Sequence, residues 1–149
     1  MPDGTHAGLY VSNEHEHIRS MAKSVSGHET VMLVDDEPSL LNLIKRSLES
    51  RGFRVLTASS PAEALGLAEK HGETISLILT DVVMPGMNGW ELSERIMSGY
   101  PKIKLMFMSG YAADIISPNG ILPEGVTLLQ KPFSMNDLAV KIRETLDRQ

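Results

Sequence analysis

The sequence places side chains that could do chemistry just after four apolar runs. In chain order, Asp35 and Asp36 follow Val31–Val34, Asp81 follows Ile75–Thr80, Ser109 follows Ile103–Met108, and Lys131 follows Val126–Leu129. Three carboxylates in one small pocket would raise one another's pKa values unless a cation joined them. Oxygen ligands without His or Cys favour Mg²⁺ over zinc. A metal ion and a lysine that hold phosphoryl oxygens while a carboxylate attacks would suit phosphoryl transfer.

Each of these residues has a simpler interpretation when it is taken alone. Asp36 or Glu37 could cap a helix, because acidic side chains favour the positive end of the helix dipole. Asp81 stands before a Pro-Gly loop and could belong to a turn, as could Ser109. Lys131 could be an ordinary solvated lysine. Their shared placement after successive apolar runs is what favours a common site.

The elements that must position these residues alternate along the chain. The apolar runs, with Phe53–Thr57 as a further one, are typical of strands buried on both faces. Helical patterns separate them, such as the stripe of Leu41, Ile44 and Leu48. This alternation predicts a parallel sheet covered by helices on both faces. In such a sheet, ligands bind at the carboxyl ends of the strands.

Composition excludes several classes of function. The chain has 149 residues, typical of one domain, and carries 14 Lys plus Arg against 19 Asp plus Glu. This acidic balance argues against nucleic-acid binding by this chain alone and against direct membrane contact. The absence of cysteine excludes disulfides, thiolate catalysis and Cys-based zinc sites. Without a signal peptide or an apolar run of roughly 18 residues, we expect a cytoplasmic protein or a cytoplasmic part of a larger one.

Four sequence blocks resemble the signature of two-component response-regulator receiver domains. The blocks are Val34–Pro38, Asp81–Gly89, Met108–Tyr111 and Lys131–Phe133. The resemblance implies a flavodoxin-like α/β fold, a doubly wound parallel sheet of five strands in the order 2-1-3-4-5 with helices on both faces. Residues 29–149 would form the receiver domain, and residues 1–28 would be a linker that is either disordered or a short helix.

The resemblance also implies a role for each residue of the site. Asp81 would accept a phosphoryl group from a phosphohistidine, and Mg²⁺ would be the cofactor. Asp36 and Asp81 would bind Mg²⁺ directly, together with the backbone carbonyl of Val83, while Asp35 would hold a metal-bound water. Lys131 would pair with the phosphoryl group, and the peptide bond between Lys131 and Pro132 would be cis. Ser109 would move to hydrogen-bond the phosphoryl group.

Three features of the sequence affect how closely the chain should follow this family. The family often carries an aromatic switch residue three positions before the lysine, and Leu128 stands there instead. Val83 and Tyr111 occupy positions that tune how fast water removes the phosphoryl group, and we expect moderate persistence. The helix between the fourth and fifth strands should be short or irregular, near Ala112–Ser117, because prolines follow it.

Two functions remain open, and both concern signalling. The blocks around Ser109 and Lys131 are most similar to receivers at the C-terminus of hybrid sensor histidine kinases. This resemblance implies a phosphorelay in which the partner is a histidine kinase or a histidine phosphotransfer protein. The alternative is a stand-alone response regulator that binds a target protein when phosphorylated. Either would be monomeric and would catalyse only its own phosphorylation and dephosphorylation. A flavodoxin is excluded because Asp35 and Asp36 would repel a flavin phosphate, and an aspartyl phosphatase would need Asp in place of Val83.

Overall fold

The computed structural model describes residues 25–110 and 126–148. This part of the chain contains five strands and four helices. The strands are β1 (Thr30–Val34), β2 (Arg54–Ala58), β3 (Ile75–Asp81), β4 (Lys104–Ser109) and β5 (Thr127–Gln130). The helices are α1 (Pro38–Glu49), α2 (Pro61–His71), α3 (Gly89–Gly99) and α4 (Met135–Asp147).

The five strands form one parallel sheet in the order β2-β1-β3-β4-β5. This confirms the predicted fold and strand order. The chain leaves β1 toward β2 on one side and later returns to β3 on the other side of β1. The strand order therefore reverses between β1 and β3, which is where open α/β sheets bind their ligands. Asp35 follows β1 and Asp81 ends β3, so both lie at this point.

Side-chain caps define where three of the helices begin. A polar side chain before the first turn accepts a hydrogen bond from a backbone N–H inside that turn, which satisfies a donor that the helix leaves unpaired. The pairs are Ser60 with Glu63 at 3.2 Å, Asn88 with Glu91 at 2.8 Å, and Ser134 with Asp137 at 3.0 Å. Each cap is followed by an acidic residue in the first turn, which the helix dipole favours.

Two hydrophobic clusters hold helices to opposite faces of the sheet. On one face, the predicted stripe of α1 packs with Leu138 and Ile142 of α4 against side chains such as Leu33 and Leu79. On the other face, α2 and α3 pack against alternate side chains of the same strands, such as Ile78. Because neighbouring strand residues point to opposite faces, one short apolar run supplies both clusters.

The element boundaries differ from the sequence predictions by one or two residues. The second strand is predicted at Phe53–Thr57 and is found at Arg54–Ala58, because the Phe53 N–H still donates to Leu48 O of the preceding helix at 3.2 Å. The third helix is predicted from Trp90 to Met97 and runs over Gly89–Gly99. Apolar patterns mark burial, whereas boundaries depend on backbone hydrogen bonds that composition does not reveal.

Some predictions concern residues outside the described ranges. They are the linker or helix within residues 1–24, the short helix at Ala112–Ser117, and the position of Tyr111. Residues 25–28 are described and show no regular secondary structure. Among the helices of the described ranges, none combines the length and the apolar character that crossing a membrane requires.

Candidate functional site

Three carboxylates meet at the carboxyl ends of β1 and β3. Asp35 and Asp36 directly follow β1, and Asp81 is the last residue of β3. Each offers one carboxylate oxygen, and these three oxygens lie within 4.8 Å of one another. Asp35 is buried, Asp81 is partly buried and Asp36 is exposed. The cluster therefore opens to solvent on the side of Asp36.

Lys131 bridges two of these carboxylates. Its Nζ donates to Asp35 Oδ2 at 3.0 Å and to Asp81 Oδ2 at 3.2 Å. The Lys131 side chain is 25% exposed, whereas that of Asp35 is only 1% exposed. A buried carboxylate without a partner would be strongly destabilising, so Lys131 compensates the charge of Asp35 and holds Asp81 beside it.

Backbone groups hold the Asp35 side chain in place. The Glu37 N–H donates to Asp35 Oδ1 at 2.8 Å, so Lys131 and this amide hold different oxygens of the same carboxylate. The Asp35 N–H in turn donates to Ala58 O at the end of β2, at 3.2 Å. Asp35 thus keeps both carboxylate oxygens paired, while its neighbour Asp36 remains at the surface.

The loop after β3 orients Asp81 in a similar way. The Val83 N–H donates to Asp81 Oδ1 at 3.3 Å, and the Asp81 carbonyl accepts from Thr80 Oγ1 at 3.0 Å. The Val82 N–H donates to Met108 O of β4 at 3.0 Å. Val83 itself is 56% exposed, so an apolar side chain lies at the surface two residues after Asp81.

Ser109 and Lys131 are joined through the backbone. Ser109 is the last residue of β4 and is buried, and its carbonyl accepts from the Lys131 N–H at 2.8 Å. The Lys131–Pro132 peptide is cis, as the family resemblance implies. Ser109 and Lys131, which would both contact a phosphoryl group, therefore lie at the ends of two adjacent, hydrogen-bonded strands.

The electrostatics of Asp81 and Lys131 reflect burial and pairing. Burial raises the pKa of Asp81 above its ordinary value, and the nearby charge and hydrogen bond of Lys131 offset only part of that effect. For Lys131, burial acts to lower the pKa. The hydrogen bond and charge of Asp35, together with those of Asp81, outweigh burial and raise the Lys131 pKa above its ordinary value. Lys131 therefore remains a cation between the two carboxylates.

The donor set fits a hard divalent cation. All three clustered ligands are carboxylates, and oxygen ligands of this kind suit Mg²⁺, which also keeps several waters on an open side. Asp36 lies on such an open side. The three carboxylates that the sequence singled out as metal ligands are thus brought together. Ser109 and Lys131, singled out for phosphoryl chemistry, lie at strand ends of the same sheet. The expected role of the Val83 carbonyl as a further ligand stays a prediction.

A family comparison agrees with this geometry. The response regulator receiver domain family matches residues 31–143, which include the three clustered carboxylates, Ser109 and Lys131. The chain belongs to the response regulator receiver domain family. Receiver domains of two-component systems interact with histidine kinases or phosphotransfer proteins.

Two relatives from Brucella abortus (strain 2308) resemble this receiver domain over different shares of their length. Sensor kinase CckA is 39% identical over 128 residues, which cover 86% of this chain and 14% of that protein. Response regulator receiver protein CpdR is 34% identical over 116 residues, which cover 78% of this chain and 95% of that protein. The chain thus matches a small part of one relative and nearly all of the other.

Solved receiver domains share the fold. The crystal structure of the receiver domain from hybrid histidine kinase CckA superimposes with a TM-score of 0.63 at 31% sequence identity. That match covers 79% of this chain and 99% of the CckA receiver chain. The fold of this chain therefore has a counterpart in a receiver domain of known structure.

Gly89 has a positioning role that sequence patterns alone do not reveal. A Cβ atom on residue 89 would overlap the carbonyl oxygen of Asp81, so the first residue of α3 must be glycine for the loop to close against β3. The sequence indicates this role only through the presence of a glycine at the first position of α3, the helix that follows the strand ending in Asp81. Only the contact with Asp81 shows why the residue lacks a side chain.

Proposed function

We propose that this receiver domain accepts a phosphoryl group from a phosphohistidine onto Asp81 and changes conformation when it does so. The observation that carries the proposal is the position of Lys131 Nζ, 3.0 Å from Asp35 and 3.2 Å from Asp81. One cation is shared between a buried carboxylate and a more accessible one. Asp81, the more accessible carboxylate, is the nucleophile. The ammonium group of Lys131 can then move toward the negative charge of the phosphoryl group on Asp81.

In the transfer step, a carboxylate oxygen of Asp81 attacks the phosphorus of the donor's phosphohistidine. A P–O bond forms as the P–N bond breaks, and the imidazole leaves with the electron pair of that bond. The Val83 N–H supports this step by holding Asp81 Oδ1, which fixes the direction of the carboxylate. Lys131 stabilises the negative charge on the phosphoryl oxygens from the side of Asp81 Oδ2.

The conformational change follows from the new charge on Asp81. A phosphoryl group adds negative charge and strong acceptor oxygens, so Lys131 turns toward it and the Ser109 hydroxyl hydrogen-bonds it. The backbone hydrogen bond between Lys131 and Ser109 makes the two strand ends move together. Phosphorylation then shifts the population between two existing conformations rather than creating a new fold.

The same site would hold Mg²⁺. Asp36, Asp81 and the backbone carbonyl of Val83 would be its direct ligands, and Asp35 would hold a water that the metal binds. When bound, Mg²⁺ supplies positive charge that offsets the clustered carboxylates and the incoming phosphoryl oxygens. The exposed side chain of Val83 hinders the approach of water to the modified Asp81, so the phosphoryl group persists for a moderate time.

The chain would serve in a cytoplasmic phosphorelay as the receiver of a hybrid sensor histidine kinase. Its similarity to sensor kinase CckA over 86% of the chain supports that context. A stand-alone response regulator is the second candidate, because the match to CpdR spans 95% of that relative. Partner docking uses α1 and the exposed rim of the site, where Leu43 is 52% exposed and Val83 is 56% exposed.

Intact-mass analysis after incubation with acetyl phosphate and Mg²⁺ tests the proposed function. We expect a single phosphoryl adduct that requires Mg²⁺ and is absent from Asp81→Asn, with the fold of the variant retained by circular dichroism. Lys131→Ala should still be phosphorylated but should not give the activated conformation. A folded wild type that binds no Mg²⁺ and forms no adduct would overturn the proposal.

A transfer assay separates the two cellular contexts. Reversible exchange of the phosphoryl group with a purified histidine phosphotransfer protein is expected for a phosphorelay receiver. A stand-alone regulator would instead retain a target protein only after phosphorylation. Leu43→Ala, which leaves the carboxylate cluster intact, should slow transfer from the phosphotransfer protein while leaving the reaction with acetyl phosphate unchanged.

A further inference from the structure

A buried donor without a partner lies beside the proposed site. Among the residues that the structure describes, the indole Nε1 of Trp90 is buried and makes no hydrogen bond, and Trp90 as a whole is 5% exposed. A donor that water would satisfy in the unfolded chain is destabilising when it is buried alone. Such a group in a native structure calls for a physical explanation.

The indole belongs to a small cluster of its own. Its ring centroid lies 4.2 Å from that of Phe107, with the two planes tilted by 36°. Val82 completes the buried part, which we call the Trp90 cluster, and Leu128 is one of the partly buried side chains packed against it. All of these neighbours are apolar, so none of their side chains offers Nε1 an acceptor.

The Trp90 cluster includes residues close to three of the four strand ends that carry the proposed site, those of β3, β4 and β5. Val82 directly follows Asp81, Phe107 stands two residues before Ser109, and Leu128 stands three residues before Lys131. The Val82 N–H also bonds to Met108 O at 3.0 Å, which ties the Asp81 loop to β4. A movement of Ser109 and Lys131 toward a modified Asp81 therefore also moves the side chains that surround the indole.

We propose that Trp90 is a positioning residue of the conformational switch, whose indole N–H gains an acceptor only when Asp81 carries a phosphoryl group. This inference rests on the proposed function of Asp81. An unsatisfied donor in the unmodified protein and a satisfied one in the modified protein together favour the modified conformation. The cluster thereby couples the phosphoryl group to the packing of α3 against β4 and β5.

The chain contains one tryptophan, so a proton–nitrogen correlation spectrum of the full chain labelled with nitrogen-15 shows one indole resonance from it. We expect this peak to move downfield in the proton dimension when acetyl phosphate and Mg²⁺ are added, in step with the adduct measured by intact mass. In Asp81→Asn the peak should not move. Tyr100→Phe is the control: it removes a hydroxyl group from the residue at the other end of α3, and its indole peak should shift as that of the wild type does.

A second variant measures the contribution of the donor itself. Trp90→Phe keeps an aromatic ring and deletes the N–H, so it should raise the melting temperature of the unmodified protein. Beryllofluoride, used with Mg²⁺ as a mimic of the phosphoryl group, should bind this variant about tenfold more weakly than it binds the wild type, because the modified conformation loses a hydrogen bond. Because Trp90→Phe has no indole resonance, its affinity for beryllofluoride is measured from the shifts of backbone amide resonances.

The outcomes separate this inference from the proposed function. A complete adduct with an unmoved indole peak would overturn the inference and leave the proposed function standing. Beryllofluoride affinity equal in Trp90→Phe and the wild type would overturn it as well. If the wild type forms no adduct and does not bind beryllofluoride, the proposed function fails, and the inference fails with it.

Discussion

Gly89 lies against the carbonyl oxygen of Asp81. A Cβ atom on residue 89 would overlap that oxygen and come within 3.2 Å of Val82 Cα, while the Gly89 N–H donates to Val82 O at 2.7 Å. The first turn of α3 is thereby held against the residue that the proposed chemistry uses. The absence of a side chain at position 89 is part of how the site is positioned.

Gly89→Ala should destabilise the protein and impair phosphorylation. The added methyl group has backbone atoms as neighbours, which cannot move aside as a flexible side chain would, so we expect a loss of about 1–3 kcal/mol. Urea unfolding measures the stability, and intact mass after acetyl phosphate treatment measures the modification. Gly66→Ala is the matched control, because nothing lies within 4 Å of a Cβ there and the change should stabilise α2 by about 0.5–1 kcal/mol. Equal effects of the two substitutions would contradict the prediction.

The ion pair between Glu29 and Arg143 should make stability depend on acid pH. Hydrogen bonds from Arg143, as close as 2.6 Å, are the main reason that the pKa of Glu29 falls from its ordinary value of 4.5 to about 2. Because the folded pKa is the lower one, the stabilisation is complete above 4.5 and is lost as pH falls through about 2. Glu29→Gln should cost about 1 kcal/mol at neutral pH, since solvent screens part of the pair.

Urea unfolding of the wild type and Glu29→Gln at decreasing pH values checks this expectation. The difference in unfolding free energy between the two should shrink through the acid range and vanish only below the folded pKa of about 2. Glu69→Gln, an exposed position on α2, is the matched control and should show little difference from the wild type at any of these pH values. A gap between wild type and Glu29→Gln that is independent of pH would refute the assignment.

Lys131→Met should increase the affinity of the acidic cluster for Mg²⁺. The ammonium group lies 3.0 Å from one carboxylate oxygen and 3.2 Å from another, so it repels a second cation and competes for the same oxygens. Without metal, the variant should lose about 2–4 kcal/mol, because Asp35 is then buried without its partner. Isothermal titration calorimetry with Mg²⁺ gives the affinity. Lys141→Met, which removes an exposed charge 3.8 Å from Glu144, should bind Mg²⁺ as the wild type does. Weaker binding in Lys131→Met would disprove the competition.

The buried hydroxyls of Thr127 and Thr145 should act as a coupled pair. Their Oγ1 atoms lie 3.0 Å apart, Thr145 donates to Lys141 O at 2.8 Å, and Arg148 donates to Thr127 at 3.0 Å. Either single Val substitution leaves a buried hydroxyl with one partner fewer and should cost about 1–2 kcal/mol. The double variant should cost less than the sum of the two. Denaturant unfolding of all three variants forms the required cycle, and strictly additive losses would show that the pair is not coupled.

Much of this fold could be predicted because its signals are local. The stripe of Leu41, Ile44 and Leu48 on α1 and the apolar run of β1 depend on periodicities that a sequence displays directly. Boundaries were less predictable, as the start of α3 at Gly89 shows. A helix begins where a cap such as Asn88 satisfies the first free N–H groups, and that position need not coincide with the first apolar residue.

The sequence by itself determined that Asp35, Asp36, Asp81 and Lys131 would share one edge of the sheet. That conclusion needs only parallel strands, because their carboxyl ends all lie at the same edge. Contacts between distant segments were decided only by the tertiary structure. The position of Lys131 between two carboxylates, the pairing of Glu29 with Arg143, and the isolation of the Trp90 indole depend on strand order, register and packing. Spacing along the chain specifies the face of an element, whereas a contact of about 3 Å requires the relative placement of several elements at once.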